Sequence, residues 1–90
     1  LNGAFVAEDQ AQVSIFDRGL LFGDGVYEVA AVFQGRLLDA DRHLVRLERS
    51  QREIGIPAPY PAAAWLEVLQ ALATRNGIEE GMVYLQVTRG

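Results

Sequence analysis

Ninety residues, half of them hydrophobic and 22% charged, suffice for one small globular domain and not for two. A net charge of −4 and a pI of about 4.8 argue against a nucleic-acid binder, which needs a basic face, and against an anionic membrane surface. There is no cysteine, which removes disulfides, thiolate metal ligands and a Cys nucleophile. No apolar run approaches the roughly 18 residues of a membrane span.

Without cysteine, and with no charged-then-apolar leader at its start, the chain is expected in the cytoplasm. It opens on Leu1 and not on Met, so it reads as less than a complete reading frame. All eight basic residues are arginines. Chemistry that needs a lysine amine, such as Schiff-base formation, therefore cannot be completed within these residues.

In chain order, the Asn2-Gly3 turn is followed by Phe5 and Val6, then by Ala11, Val13 and Ile15 at period two. This pattern predicts two short strands in a meander, with "AEDQ" as the bend. Residues 26–33, "VYEVAAVF", form the strongest predicted strand, and Gln34-Gly35 predicts a tight hairpin into "RLLD". A first helix is predicted from Asp39 or Asp41, either able to cap it, to about Ile54, ahead of Gly55 and Pro57. Leu44, Leu47 and Ile54 make its expected apolar stripe. A second helix should start at Pro61 and end at Asn76-Gly77, with Trp65, Leu66, Leu69, Leu72 and Ala73 on its buried face. "MVYLQVT", residues 82–88, is the last predicted strand, with Val83, Leu85 and Val87 on one side. This order predicts an α+β fold, a mostly antiparallel sheet with two helices packed on one face.

The segment "DRGLLFGDGVYEV", residues 17–29, raises the functional question. "GDG" is no dinucleotide fingerprint, because a strand follows it and not a helix, and it lacks the GK[ST] of a P-loop. It reads as a turn. Alternation then puts Tyr27, Val29, Ala31 and Phe33 on one face of the strand and Val26, Glu28, Ala30 and Val32 on the other. Tyr27 with the modest side chains Val29 and Ala31 could floor a small-ligand pocket, although a half-buried strand with its Tyr at the solvent edge accounts for the same pattern. Glu28 is a carboxylate on an otherwise apolar face, so it must find a donor or reach the sheet edge, and Arg18 is an available partner.

On the first predicted helix, His43, Arg46 and Arg49 follow at i, i+3 and i+6. They could hold a phosphate or carboxylate by charge-assisted bonds. The alternative is a solvated basic face paired with Glu48, Glu53 and Asp39. A lone His is more often a structural hydrogen-bonder than a catalyst, and with no second His or Cys no metal site is expected.

Several blocks in order, "DRGLLFGDGVYEV", "HLVRLERS" and "VYLQVTRG", make the chain resemble the start of the fold-type IV pyridoxal-phosphate enzymes. That group includes D-amino-acid transaminases, branched-chain aminotransferases and aminodeoxychorismate lyases. "FGDGVYEV" and "QVTRG" look closest to the D-amino-acid transaminase branch. The resemblance implies that Arg46, the arginine of the "HxxRL" helix, binds the phosphate of pyridoxal 5'-phosphate. It implies that Tyr27 helps hold the substrate carboxylate and that Val29 and Ala31 line the substrate side. His43 is then structural.

By the same resemblance, residues 1–90 are the small N-terminal domain of an enzyme that moves the amino group of a D-amino acid to a 2-oxo acid. A larger domain with the catalytic lysine lies beyond them, and the working unit is a homodimer. No catalytic residue falls within the ninety, and the isolated fragment is expected to be inactive. Same-fold alternatives are a branched-chain or amine aminotransferase and an aminodeoxychorismate lyase. A non-catalytic oligomerisation or binding domain is the alternative of another class, favoured by the absence of lysine.

Overall fold

The computed structural model describes all ninety residues, Leu1–Gly90. After a 3₁₀ turn at Glu8–Gln10 come helix α1 (Arg18–Phe22), strands β1 (Gly25–Phe33) and β2 (Arg36–Leu37), helices α2 (Ala40–Ile54) and α3 (Ala62–Arg75), and strand β3 (Glu80–Thr88). The sheet order is β2-β1-β3, antiparallel throughout. The result is the expected α+β domain, with α2 and α3 covering one sheet face.

β1 is central because it is the longest run of β-branched, aromatic and small residues, and it pairs with β3 from Gly25↔Thr88 to Phe33↔Glu80. On its other side, β2 pairs only at Val32↔Leu37 and Phe33↔Arg36. The two-residue loop between them has φ of 49° at Gln34 and 75° at Gly35. Positive values at both positions match the twist of a two-residue hairpin, and Gly35 makes the second one cheap.

The core lies between sheet and helices. Val32 of β1, Leu44 and Leu47 of α2, Leu69 and Ala73 of α3, and Val83 and Leu85 of β3 form one buried cluster. α3 starts after Pro61 and stops at Asn76, as its sequence signals indicate, but of its expected buried face Leu69 and Ala73 are buried while Leu66 and Leu72 are exposed.

Four expectations need correction. Residues 1–17 form no strands. The period-two pattern of Val13 and Ile15 meets no partner edge, and these side chains are 61% and 68% exposed. Phe5 instead lies under the Arg75 guanidinium, 4.0 Å from ring centroid to cation. Second, α1 is an unexpected element. The Asp17 side chain accepts from the Gly19 N–H at 2.7 Å, and Gly23 closes the helix in the left-handed region at φ 64°.

Third, Asp39 precedes α2 but makes no side-chain cap. Its left-handed backbone, φ 51°, replaces the extended one from which a cap reaches forward. Last, Ile54 is 39% exposed, and Gln51 takes the inner position at 2%. At 3.6 residues per turn, position 51 falls between Leu44 and Leu47, inside their stripe, whereas Ile54, the last residue of α2, lies about 20° beyond Leu47 at its rim. Leu47→Ala is accordingly expected to cost about 2–5 kcal/mol of stability. Ile54→Ala should cost no more than about 1 kcal/mol. Denaturant-unfolding midpoints measure both, and equal losses would contradict this packing.

Candidate active site

Two residues of the opening segment set the site's frame. Gly25 faces β3 so closely that a Cβ would come within 2.8 Å of the Val87 carbonyl oxygen. Asp24, beside it, accepts from Arg89 Nε at 2.8 Å and Arg18 Nε at 3.0 Å. Arg89, then Arg18, hold the Asp24 carboxyl below its ordinary value. Arg89 also donates from Nη2 to the Ile54 carbonyl at 2.7 Å. The start of β1, the end of β3 and the C-terminus of α2 are thus tied at one point.

Glu28 follows on the helix-covered face of β1, opposite Leu85 and only 3% exposed. A carboxylate so buried requires donors, and α2 supplies them. Oε1 accepts from Arg46 Nε at 2.6 Å, and Oε2 accepts from Arg46 Nη2 at 2.7 Å and from His43 Nδ1 at 2.8 Å. An ionised carboxylate can only accept, so Nδ1 carries the proton and the tautomer follows from the network. The Arg46 bonds chiefly hold the Glu28 carboxyl below its ordinary value; burial opposes them and His43 adds to them. Glu28 in turn raises the Arg46 pKa, with a lesser contribution from the Tyr27 phenol.

The Glu28–Arg18 pairing does not occur, because Arg18 belongs to Asp24. Arg49 does not converge with His43 and Arg46 either. It pairs with Glu53 at 3.0 Å on the solvated side of α2, as the basic-face alternative holds.

Tyr27, Val29 and Ala31 lie together on the other, uncovered face of the sheet, as alternation requires. Tyr27 stacks on Tyr84 of β3, with ring centroids 5.5 Å apart and planes at 20°. The Tyr84 hydroxyl donates to Gln86 Oε1 at 3.0 Å. Tyr84 and Gln86 escaped the sequence reading, which weighed only the core-facing alternate positions of β3. The signal was present, since Met82, Tyr84 and Gln86 occupy the other alternation.

Tyr27 and the Glu28–Arg46 pair therefore lie on opposite faces of the sheet. β2 pairs only with the end of β1, which leaves the β1 edge from Gly25 to Ala30 without a neighbouring strand. Held on Glu28 of that strand, Arg46 presents a guanidinium whose side chain is 66% exposed and whose Nη1 makes no intramolecular hydrogen bond. This donor set fits a phosphate ester. A surface hollow of about 520 Å³ lies elsewhere, along α3, lined by Leu66, Gln70 and Thr74 among others. No three His, Asp or Glu side chains cluster as metal ligands, and no helix is long and apolar enough to cross a membrane.

A three-stranded antiparallel sheet with helices on one face is the architecture of fold-type IV aminotransferase N-terminal domains. The branched-chain amino acid aminotransferase of Thermus thermophilus shares this fold with a TM-score of 0.92 over 99% of this chain and 30% of its own, at 22% identity. The chain belongs to the amino-transferase class IV family, whose model matches residues 25–90. It is 43% identical over all of its 90 residues to a D-alanine aminotransferase of Staphylococcus aureus (strain MSSA476), of which it covers 32%. It is 40% identical to a 4-amino-4-deoxychorismate lyase from Pseudomonas aeruginosa, with a TM-score of 0.74 over 89% of this chain and 28% of that one. The chain thus spans about a third of the length of the relatives it matches.

Because its folded pKa is depressed, Glu28 contributes stability that is present above its ordinary value of 4.5 and is lost as pH falls through the lower folded value. Unfolding free energy should therefore decline below about pH 4.5 in the wild type, and less steeply in Glu28→Gln. Parallel acid limbs in a pH series of denaturant titrations would contradict this.

Proposed function

We propose that the full-length protein carrying these residues is a pyridoxal-phosphate-dependent transaminase that moves the amino group of a D-amino acid to a 2-oxo acid. The observation that carries this reading is the exposed Arg46 guanidinium, pinned by buried Glu28 of β1 with donors left free. When bound, pyridoxal phosphate supplies the electron sink for breaking the substrate's Cα–H bond. The work of this chain is binding and orientation. Arg46 donates to the cofactor phosphate, and the Tyr27 hydroxyl donates to the substrate carboxylate. Val29 and Ala31 border the substrate side with small surfaces.

Identity of 43% with a D-alanine aminotransferase supports the D-amino-acid branch. None of the ninety residues is a lysine. The amine that moves the proton accordingly belongs to a larger domain outside residues 1–90, and these residues alone are inactive. The working unit is a cytoplasmic homodimer. The exposed apolar side chains Phe16, Leu20, Leu21 and Phe22 support a protein partner at α1.

A second reading, an aminodeoxychorismate lyase of the same fold, has the 40% identity to the Pseudomonas aeruginosa lyase behind it. The full-length protein should form pyruvate from D-Ala and 2-oxoglutarate, and should do so faster than it converts L-Leu. Pyruvate release from aminodeoxychorismate without transamination would establish the lyase instead. Arg46→Ala is expected to weaken pyridoxal phosphate binding by about 10–100-fold, with activity partly restored by excess cofactor. Unchanged cofactor affinity would remove Arg46 from the phosphate site.

A further inference from the structure

An exposed arginine on a helix surface samples many rotamers, and holding it in one costs conformational entropy. Arg46 is exposed yet fixed, because its partner Glu28 is almost fully buried on the central strand, which is itself paired along its length to β3. The bidentate contact engages Nε and one N–H of Nη2. The donors that remain, on Nη1 and the far side of Nη2, lie along the other edge of the guanidinium plane. His43 binds the same Oε2 that accepts from Nη2, which fixes the carboxylate plane as well.

Charge alone gives no reason for this arrangement. A carboxylate beside a phosphate site repels the anion and offsets the arginine's charge. Its presence there is explained by geometry, since a planar fork held on one edge aims its second edge in a single direction.

We infer that Glu28 is a positioning residue for the cofactor phosphate: it holds one edge of the Arg46 guanidinium so that the free edge is presented, pre-oriented, to the phosphate oxygens. This rests on the assignment of Arg46 to the cofactor phosphate. The phosphate preference, the ratio of the dissociation constants of pyridoxal and pyridoxal phosphate, isolates the role. General loosening of the site weakens both ligands and leaves the ratio in place.

The experiment measures both constants by equilibrium fluorescence titration of the full-length apoprotein, for the wild type, Glu28→Gln, Glu28→Asp and Arg46→Ala. Glu28→Gln keeps the shape but replaces an acceptor with a donor facing Arg46. Its phosphate preference should fall about tenfold, with pyridoxal affinity within about twofold of wild type. A carboxylate that only balances its own burial predicts the opposite sign, because removing its charge would favour the anion. An unchanged or raised preference, or equal weakening of both ligands, therefore overturns the inference.

Glu28→Asp keeps the charge but is a methylene too short to meet both Nε and Nη2. Its preference should also fall, and wild-type preference in a folded Glu28→Asp overturns the proposal even if Glu28→Gln does not fold. Arg46→Ala separates the two levels of failure. If it retains the preference, the phosphate assignment itself is wrong and the inference falls with it. If it loses the preference while both Glu28 variants keep it, Arg46 binds phosphate and only the positioning role is refuted.

Discussion

A carboxylate buried between a sheet and a helix sets the terms for this domain. Glu28 lies in the seam that elsewhere holds Val32, Leu44 and Leu85, and a charge there is tolerable only with close, hydrogen-bonded partners. Both come from α2, one turn apart at positions 43 and 46. Leu44, Leu47 and Gln51 of the same helix enter the interior. A single rotation of α2 about its axis satisfies both demands. The electrostatic requirement and the hydrophobic one thus fix the same orientation, and agreement between levels is what gives a sequence one structure.

The clamp around Asp24 performs a comparable task at the end of the sheet. It joins residues far apart in the chain, Arg18, Asp24 and Arg89, and through Arg89 it also meets the last carbonyls of α2. The "GDG" turn is therefore more than a bend. Gly23 ends α1, Asp24 collects two cations, and Gly25 allows β3 to lie close.

The elements with both a period and a local stop signal were legible in the sequence. β1 ends at Gln34-Gly35, α2 before Gly55 and Pro57, and α3 between Pro61 and Asn76. Each signal acts on its own neighbourhood, so no knowledge of the rest of the fold is needed. What was not legible depends on distant choices. Val13 and Ile15 carry the alternation of a strand, but a strand also needs a partner, and residues 1–17 pair with none of the sheet's strands. Glu28 advertised its need for a donor without naming one. Arg18 is nearer in sequence, yet α1 turns it toward Asp24, and the partner proved to lie 18 residues downstream. Tyr27, Val29 and Ala31 share a face by alternation alone. Assigning them and Arg46 to substrate and cofactor drew on the resemblance of whole blocks.

The alternation along β1 also divides the strand into parts with different freedom to change. Glu28, Ala30 and Val32 face a packed interior, where a new side chain must fit α2 and β3 together. Val29 and Ala31, one position away in each direction from Ala30, border the uncovered face and impose no such demand. Substitution there can therefore revise the uncovered face of the sheet, on the proposed function the substrate side, while leaving the anchoring carboxylate and its arginine in place. One nine-residue strand holds a fixed mooring and an editable contact surface, interleaved residue by residue.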